Sequence, residues 1–410
     1  MNPIAIRLLN QQLVAPQFSN PTEVVHYMGA MQAQEYRMMR WAVEMRTRRP
    51  SHKAFKKAFD EGRIIRLHLM RGTWQLVAAE DYWMMIGLCA PKAIAVTKGW
   101  MSSNKISIPD EELMRIRDIL AQTAADLGSA TKEDFVRALA EKNIRMDDHR
   151  LSYHIRMAEM SGTLCSGELL PMKATYALTA NKVKPKAQMD KDEALMYFTR
   201  KYFQSRQPAT LEDFVWWSGL NISDCRRGIE LIGNTIYVER WKGRDFYLTD
   251  DCRTRGFRKG KFLLIPPYDE YLISYKSRDI VLPPEHKHHA HNNSGIFQPV
   301  VAYDGTICGN WSPFKAARTP PAPEHLLERK KREQSQACLR SAEREQARPK
   351  VKNDCQVTFF AERSGRAERF ENDFEADSLK EAWQVYNDYR NVKTWHKDSC
   401  NSVKTSKFAT

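Results

Sequence analysis

Two glutamines separated by one alanine, Gln32-Ala33-Gln34, sit between an apolar stretch ending at Met28-Gly29 and a segment rich in Arg, Met and Trp. A carboxamide does not ionise near neutral pH. It accepts hydrogen bonds through its oxygen and donates through its nitrogen, so a pair of carboxamides can hold and orient a polar partner. The pattern alone does not name that partner. A second group lies at Arg71-Gly72-Thr73-Trp74-Gln75, where Gly72 permits close backbone approach and Arg71 offers a planar fork for phosphate. Trp74 reads equally well as core, and His68 as structural. The run Glu285-His286-Lys287-His288-His289-Ala290-His291 has a metal-like composition but no cysteine or acidic pair at fixed spacing nearby. It reads as a loop that meets DNA or solvent, with His288 as its candidate contact. The chain has no Gly-rich phosphate loop, dinucleotide fingerprint or serine elbow, so neither a metal nor a cofactor is expected.

Charge narrows the partner. Lys and Arg outnumber Asp and Glu, giving a formal net charge of +14. Such an excess favours nucleic acid, because neutralising phosphates releases counterions; a basic surface that only aids solubility is the alternative. The groups that could grip backbone phosphates are Arg226 and Arg227, Arg150 with His154 and Arg156, and Arg240, Lys242 and Arg244. A hydrophobic fraction of 42% describes a folded protein. No apolar run is long enough to span a bilayer and the first residues lack the pattern of a signal peptide. The cysteines are scattered without a Cys-x-x-Cys pair. Together these features predict a cytoplasmic, nucleoid-associated protein, monomeric and without a membrane partner.

The elements that must position these residues repeat. Ala130-Thr-Lys-Glu-Asp-Phe-Val136 recurs as Ala209-Thr-Leu-Glu-Asp-Phe-Val215, each a helix start with a threonine cap and acidic first turn. A second helix follows each copy, over 148–160 and 223–232. Each copy then closes with an alternating strand pair: 163–165 with 175–178, and 236–238 with 246–249. Helix, helix, strand, turn, strand is the order of a winged helix-turn-helix. A looser copy occupies the first hundred residues, with a helix from Asn20-Pro21-Thr22, a second helix over 32–46, and strands at 64–66 and 72–77. From Lys261 the pattern changes to short strands at 262–265, 270–275, 296–297, 299–302 and 307–311, as in a small barrel. A charged linker follows, then a strand at 357–360 and a helix at 378–389.

The predicted class is α+β: three tandem winged-helix units (1–105, 106–185, 186–256) and a β-barrel-like domain (257–315 plus 351–390) around the linker 316–350.

At this point the residues Arg7-Leu8-Leu9-Asn10-Gln11-Gln12-Leu13, Gly29-Ala30-Met31-Gln32-Ala33-Gln34, Arg71-Gly72-Thr73, Tyr268-Asp269-Glu270-Tyr271 and Gly309-Asn310-Trp311 matter together. In order and spacing they resemble the tandem winged-helix DNA glycosylases of the AlkZ type, from about residue 5 to 315 and more weakly to 390. In that family a Gln-apolar-Gln motif marks one branch, and members excise alkylated purines, some of them unhooking interstrand crosslinks. The resemblance implies double-stranded DNA carrying alkylated purines as substrate and Gln32 and Gln34 as catalytic residues. A purine alkylated at N7 or N3 is already cationic and departs without a general acid, so amide oxygens suffice to place a water at the anomeric carbon. Gln34 is expected to orient that water and Gln32 to assist or contact substrate. Tyr36, Arg37, Arg71, Thr73, Trp74 and Gln75 would line the site, and Glu35 would be a neighbour rather than the base. Relatives often carry His where this chain has Gln75. No Schiff-base lysine accompanies the motif, so the glycosylase would be monofunctional. The rival reading is a non-catalytic winged-helix DNA-binding protein, such as a transcription regulator, with no need of Gln32 and Gln34.

Overall fold

The computed structural model describes residues 1–312, 354–363 and 366–375. They fall into two compact units: Met1–Gln298 with Ala302–Ile307, and Pro299–Val301 with the chain from Cys308.

The first unit opens with helix α1 (Pro3–Asn10), whose first turn is capped by Asn2. Helix α2 (Pro21–Met28) follows, with Asn20 as cap and proline in its first turn, where a missing N–H costs nothing. Strand β1 (Met31–Gln32), helices α3 (Met39–Glu44) and α4 (His52–Asp60), and strands β2 (Ile64–His68) and β3 (Trp74–Ala78) complete this part. The strands form an antiparallel sheet of order β1-β3-β2, with Gln32 opposite Gln75 and Ile65 opposite Val77. Val24, Val25 and Met28 pack with Phe55, Phe59 and Leu76 in one core, each side chain contributing roughly 1.5–3 kcal/mol on burial.

Helix α5 (Tyr82–Ser103) leads to α6 (Asp110–Leu127), β4 (Ala130–Thr131), α7 (Lys132–Glu141), α8 (Asp148–Met160), β5 (Leu164–Ser166) and β6 (Thr175–Leu178). The sheet order is β4-β6-β5, the same as before. After the short α9 (Thr179–Lys182), the helices α10 (Lys191–Arg206), α11 (Leu211–Ser218) and α12 (Ile222–Ile232) precede the hairpin β7 (Ile236–Trp241) and β8 (Arg244–Thr249). Ala209 bridges Tyr247, filling the place that β1 and β4 hold in the earlier sheets. The repeated seven residues are helix starts: Thr131 with Asp134 and Thr210 with Asp213 each form a reciprocal capping box. The phenylalanine after each box, Phe135 and Phe214, is fully buried.

The region after Lys261 departs from the sequence reading. Strand β9 (Phe262–Ile265) is present, but 270–275 is not a strand. Asp269 accepts from the Tyr271 N–H and caps a short helix α13 (Glu270–Ile273), so the apparent alternation there is helical. Helix α14 (Lys287–Ala290) takes up part of the His-rich run, and 296–297 forms only a bridge from Phe297 to His291. Strands β10 (Val300–Tyr303), β11 (Thr306–Ser312), β12 (Asp354–Arg363) and β13 (Arg366–Glu375) follow. The last two pair as a long antiparallel hairpin that includes the expected strand at 357–360. Among the described residues the strand order is linear with two open ends, and no closed barrel is found. The expected helix at 378–389 and most of the linker lie outside the described residues.

Gly305 ties α1 to α13. Its φ is +87°, its carbonyl accepts from the Tyr271 hydroxyl at 2.6 Å, and an added Cβ would lie 2.4 Å from the Ile4 Cγ2. Gly305→Ala is therefore expected to cost about 2–4 kcal/mol, read as a lower denaturation midpoint with an unchanged slope.

Candidate active site

Gln32 lies on a strand, not on the helix expected over 32–46. The ladder from Met31–Leu76 and Gln32–Gln75 extends one residue further, with the Ala33 N–H donating to the Trp74 carbonyl at 2.9 Å. This corrects the local geometry usefully. Beyond Ala33 the chain leaves the ladder at a bend that contains Gln34, two residues on from Gln32. The Ala33 peptide between them is held at both ends, because its carbonyl accepts from the Arg66 Nε at 3.1 Å.

The two amides are in different states. Gln32 is buried, with 6% of its surface exposed. Its Oε1 accepts from the Gln75 Nε2 at 2.7 Å and from the Thr73 hydroxyl at 3.3 Å, with an Arg71 nitrogen at 3.5 Å. That acceptor is committed. The Gln34 Oε1 is buried and has no hydrogen-bond partner among the described residues. A buried amide oxygen without a donor costs about 1–3 kcal/mol, so it is retained where a ligand or water completes it. The Trp74 indole nitrogen and the Gln75 Oε1 are likewise buried and unpaired.

Beneath Gln32 lies a buried ion pair that sequence reasoning missed. The Glu270 Oε1 accepts the Gln32 backbone N–H at 2.7 Å. Its Oε2 accepts from the Arg206 NH2 at 2.6 Å, the Trp217 indole at 2.9 Å and the Ser274 hydroxyl. Arg206 also donates to the carbonyls of Met28 at 2.7 Å and Ala30 at 2.6 Å, and its guanidinium sits 4.3 Å from the Trp217 ring. Burial opposes ionisation of Glu270, but the Arg206 charge and the hydrogen bonds outweigh it and hold the carboxyl below its ordinary range. Asp269 next to it takes both NH groups of Arg46, each at 2.8 Å. The Asp269-Glu270 pair thus pins the strand carrying Gln32 and the helix following Gln34. The available signal was two acids opening a run of otherwise aromatic and apolar residues.

A second support lies behind Trp74. Its ring lies tilted against His68, centroids 3.9 Å apart, and faces Arg66 at 4.5 Å, with the Tyr36 ring 5.2 Å from the same guanidinium. His68 is buried and pairs through Nδ1 with Glu159 of α8, in line with a structural role.

The remaining predicted residues divide. Thr73 and Gln75 converge on Gln32 as described. Tyr36 is half-buried and donates to the Leu170 carbonyl at 3.0 Å, while Arg37 bonds Glu35 at 3.3 Å. The Glu35 Oε1 thus accepts from both the backbone N–H and the side chain of Arg37. Arg71, read as a phosphate fork, is turned inward instead. It has φ +57° and donates to the Trp216 and Trp217 carbonyls at 2.8 and 2.6 Å, a positioning role. Arg150 is paired with Glu112, and Arg227 with Asp192. Arg156 lies 5.7 Å from the Tyr153 ring. Arg226 and Lys242 are exposed, Lys242 over the Trp241 ring, and Arg244 is partly exposed over Phe246. His288 is exposed, its ring tilted against that of His289. Among the described residues no three His, Cys, Asp or Glu side chains gather as metal ligands, and no helix is long and apolar enough to cross a membrane.

Comparison with known proteins gives the same direction. A family model described as DNA glycosylase AlkZ-like matches residues 25–346. The interstrand DNA cross-link repair glycosylase of Streptomyces sahachiroi is 22% identical over 327 residues, covering 74% of this chain and 85% of that protein. The solved structure of Streptomyces sahachiroi DNA glycosylase AlkZ matches with a TM-score of 0.62 at 20% identity, over 80% of this chain and 93% of the other. At that identity the structural match speaks for the fold alone. The family match spans well over half of the sequence, and the chain belongs to the AlkZ-like DNA glycosylase family.

Proposed function

We propose that this DNA glycosylase hydrolyses the N-glycosidic bond of cationic N7- or N3-alkylated purines, with Gln34 orienting the attacking water and Gln32 fixing the strand beside it. The observation that carries the reading is the unspent, buried Oε1 of Gln34 close in the chain to a Gln32 whose own Oε1 is engaged. In the reaction the bond between the sugar and the positively charged base breaks first. The electron pair stays with the base, which leaves neutral. The water held by Gln34 bonds the resulting oxocarbenium carbon, and its extra proton passes to solvent. No side chain need act as an acid. The three subassemblies of helices with a sheet of like strand order are read as tandem winged-helix units that follow duplex DNA.

The likeness to the Streptomyces interstrand DNA cross-link repair glycosylase supports interstrand crosslinks as a further substrate class. The test is single-turnover release of 7-methylguanine from an N7-methylated duplex, followed by a duplex crosslinked through N7. Release from either places the chain's activity in this class. No release from either, with DNA binding intact, would favour the non-catalytic reading. The charge of +14 also sets an expectation for binding. Affinity for undamaged duplex should fall at least about tenfold between roughly 50 and 200 mM salt, and a flat response would remove the electrostatic argument.

A further inference from the structure

The loop joining β5 to β6, residues 167–174, is longer than the Lys242-Gly243 turn of the β7–β8 hairpin, and longer than the about two to five residues usual between paired strands. Its base is firmly fastened. The Gly167 N–H donates to the Thr175 carbonyl at 2.9 Å, and the Gly167 carbonyl accepts from the Lys182 Nζ at 2.9 Å. The Glu168 N–H donates to the Ser129 hydroxyl at 2.9 Å, while its carbonyl accepts from the Thr175 hydroxyl at 2.6 Å. Leu169 is buried in the core that holds Phe55 and Phe59, and its N–H donates to Asp60 of α4 at 2.7 Å. Beyond it the chain turns outward. Leu170, Pro171 and Met172 are all exposed, and Met172, at 70%, is the most exposed large apolar side chain among the described residues.

Two observations say what this tip meets. A hydrogen bond ties it to the segment carrying the glutamines: the Tyr36 hydroxyl donates to the Leu170 carbonyl at 3.0 Å. Tyr36 follows Gln34 by two residues, at most about 7 Å of chain. Gln34, Glu35 and Tyr36 are all partly exposed, so an accessible strip leads from the motif to the tip. The second observation is chemical. Leu169-Leu-Pro-Met172 carries no charge; the flanking Glu168 and Lys173 are of opposite sign, and Lys173 reaches Glu133 at 3.1 Å. An uncharged tip gains nothing from phosphates. In a chain of the DNA glycosylase family, the apolar space available beside the motif is the interior of the base stack, which Leu, Met and Pro side chains enter elsewhere by parting one base step. A methionine, unbranched and polarizable, adapts to such a gap, and the fastened base leaves little to order on insertion.

We infer that the Leu170-Pro171-Met172 tip is a wedge that enters the base stack of duplex DNA beside the damaged nucleotide, with Met172 leading and Tyr36 fixing its distance from Gln34. Parting one base step loosens and bends the duplex there. The sugar of the damaged nucleotide is then open to the water on Gln34; that consequence rests on the hydrolysis proposed above, whereas insertion itself does not. Tyr36 is a positioning residue in this arrangement, and its hydroxyl is already spent on the tip.

A wedge acts on stacking, so the test reads stacking. The fluorescent base 2-aminopurine, which brightens when it unstacks, is placed beside an N7-methylguanine whose sugar carries a 2′-fluorine and so resists cleavage. The full chain is titrated into this duplex to saturation as wild type, as Met172→Ser, and as Leu170→Ser with Met172→Ser. Met114→Ser, exposed on α6, controls for loss of apolar surface elsewhere, and thermal unfolding shows that each variant is folded. Wild type and control should brighten the duplex, and the double variant should lose most of that rise. Release of 7-methylguanine from the cleavable duplex should slow about tenfold or more in the double variant. A double variant that keeps the full rise would overturn the inference, and is the result expected if the tip meets another protein instead. A wild type that gives no rise would overturn it as well. Brightening by wild type without release from the cleavable duplex would uphold the wedge and sink the hydrolysis, so the two readings fail separately. Should the double variant not fold, Met172→Ser decides alone, because that side chain lies mostly in solvent.

Discussion

Gln34→Ala is expected to slow single-turnover release of 7-methylguanine by about 100- to 1000-fold while leaving affinity for the methylated duplex within a factor of about two. The size follows from what the oxygen has left to do. It is buried, it bonds nothing among the described residues, and it lies two residues beyond Gln32 at the bend where the strand ends. A group of this kind contributes only once charge and a nucleophile develop nearby, so its loss lowers the rate of the chemical step more than it weakens binding. Gln34→Glu separates placement from charge: a carboxylate also accepts from water, so it should retain more activity than alanine. Gln32→Ala should act differently. It frees Gln75, Thr73 and Arg71 from their shared acceptor, and is expected to impair folding stability along with rate. A Gln34→Ala enzyme that releases base at the wild-type rate would end the assignment of the water to this residue.

The contrast between Gln34 and its supports explains what the sequence made legible. The motif was readable because its residues are contiguous and because their neighbours Thr73, Trp74 and Gln75 are consecutive, the last two on the pairing strand β3. Helix starts were readable for the same local reason: each capping box closes within four residues. The elements that failed are those decided at long range. Gln32 was placed on a helix because nothing nearby shows that Trp74 waits to accept the Ala33 N–H. Glu270 is 238 residues from the amide it holds, and an acid in a mixed apolar run does not announce a partner so distant. Arg71 has the residue type of a phosphate ligand but the left-handed backbone of a turn, and it was the carbonyls at the end of α11 that claimed its guanidinium. The barrel was an overreading of strand spacing, since closure depends on which edges pair, and spacing along the chain carries no information about that.

The largest effect on stability is expected at Glu270. Glu270→Gln preserves an acceptor for the Gln32 N–H but leaves Arg206 charged and without its counterion in the interior. Breaking one side of a buried pair costs about 3–5 kcal/mol, so urea unfolding should shift to a markedly lower midpoint. Because the folded carboxyl lies below its ordinary value near 4.5, the stability it supplies is fully present above that pH. It is lost as pH falls through the folded value, so wild type should lose stability steeply below about pH 4.5 and the glutamine variant much less. Replacing both partners, Glu270→Leu with Arg206→Met, removes the charge imbalance and should recover part of the loss. It should not recover excision, because the Gln32 amide and the Met28 and Ala30 carbonyls would still lack their polar partners. A double variant with wild-type rate would show that the pair stabilises the fold without positioning the motif. A double variant that is stable but slow would show that holding the glutamine strand is a separate task, one that an apolar core cannot perform.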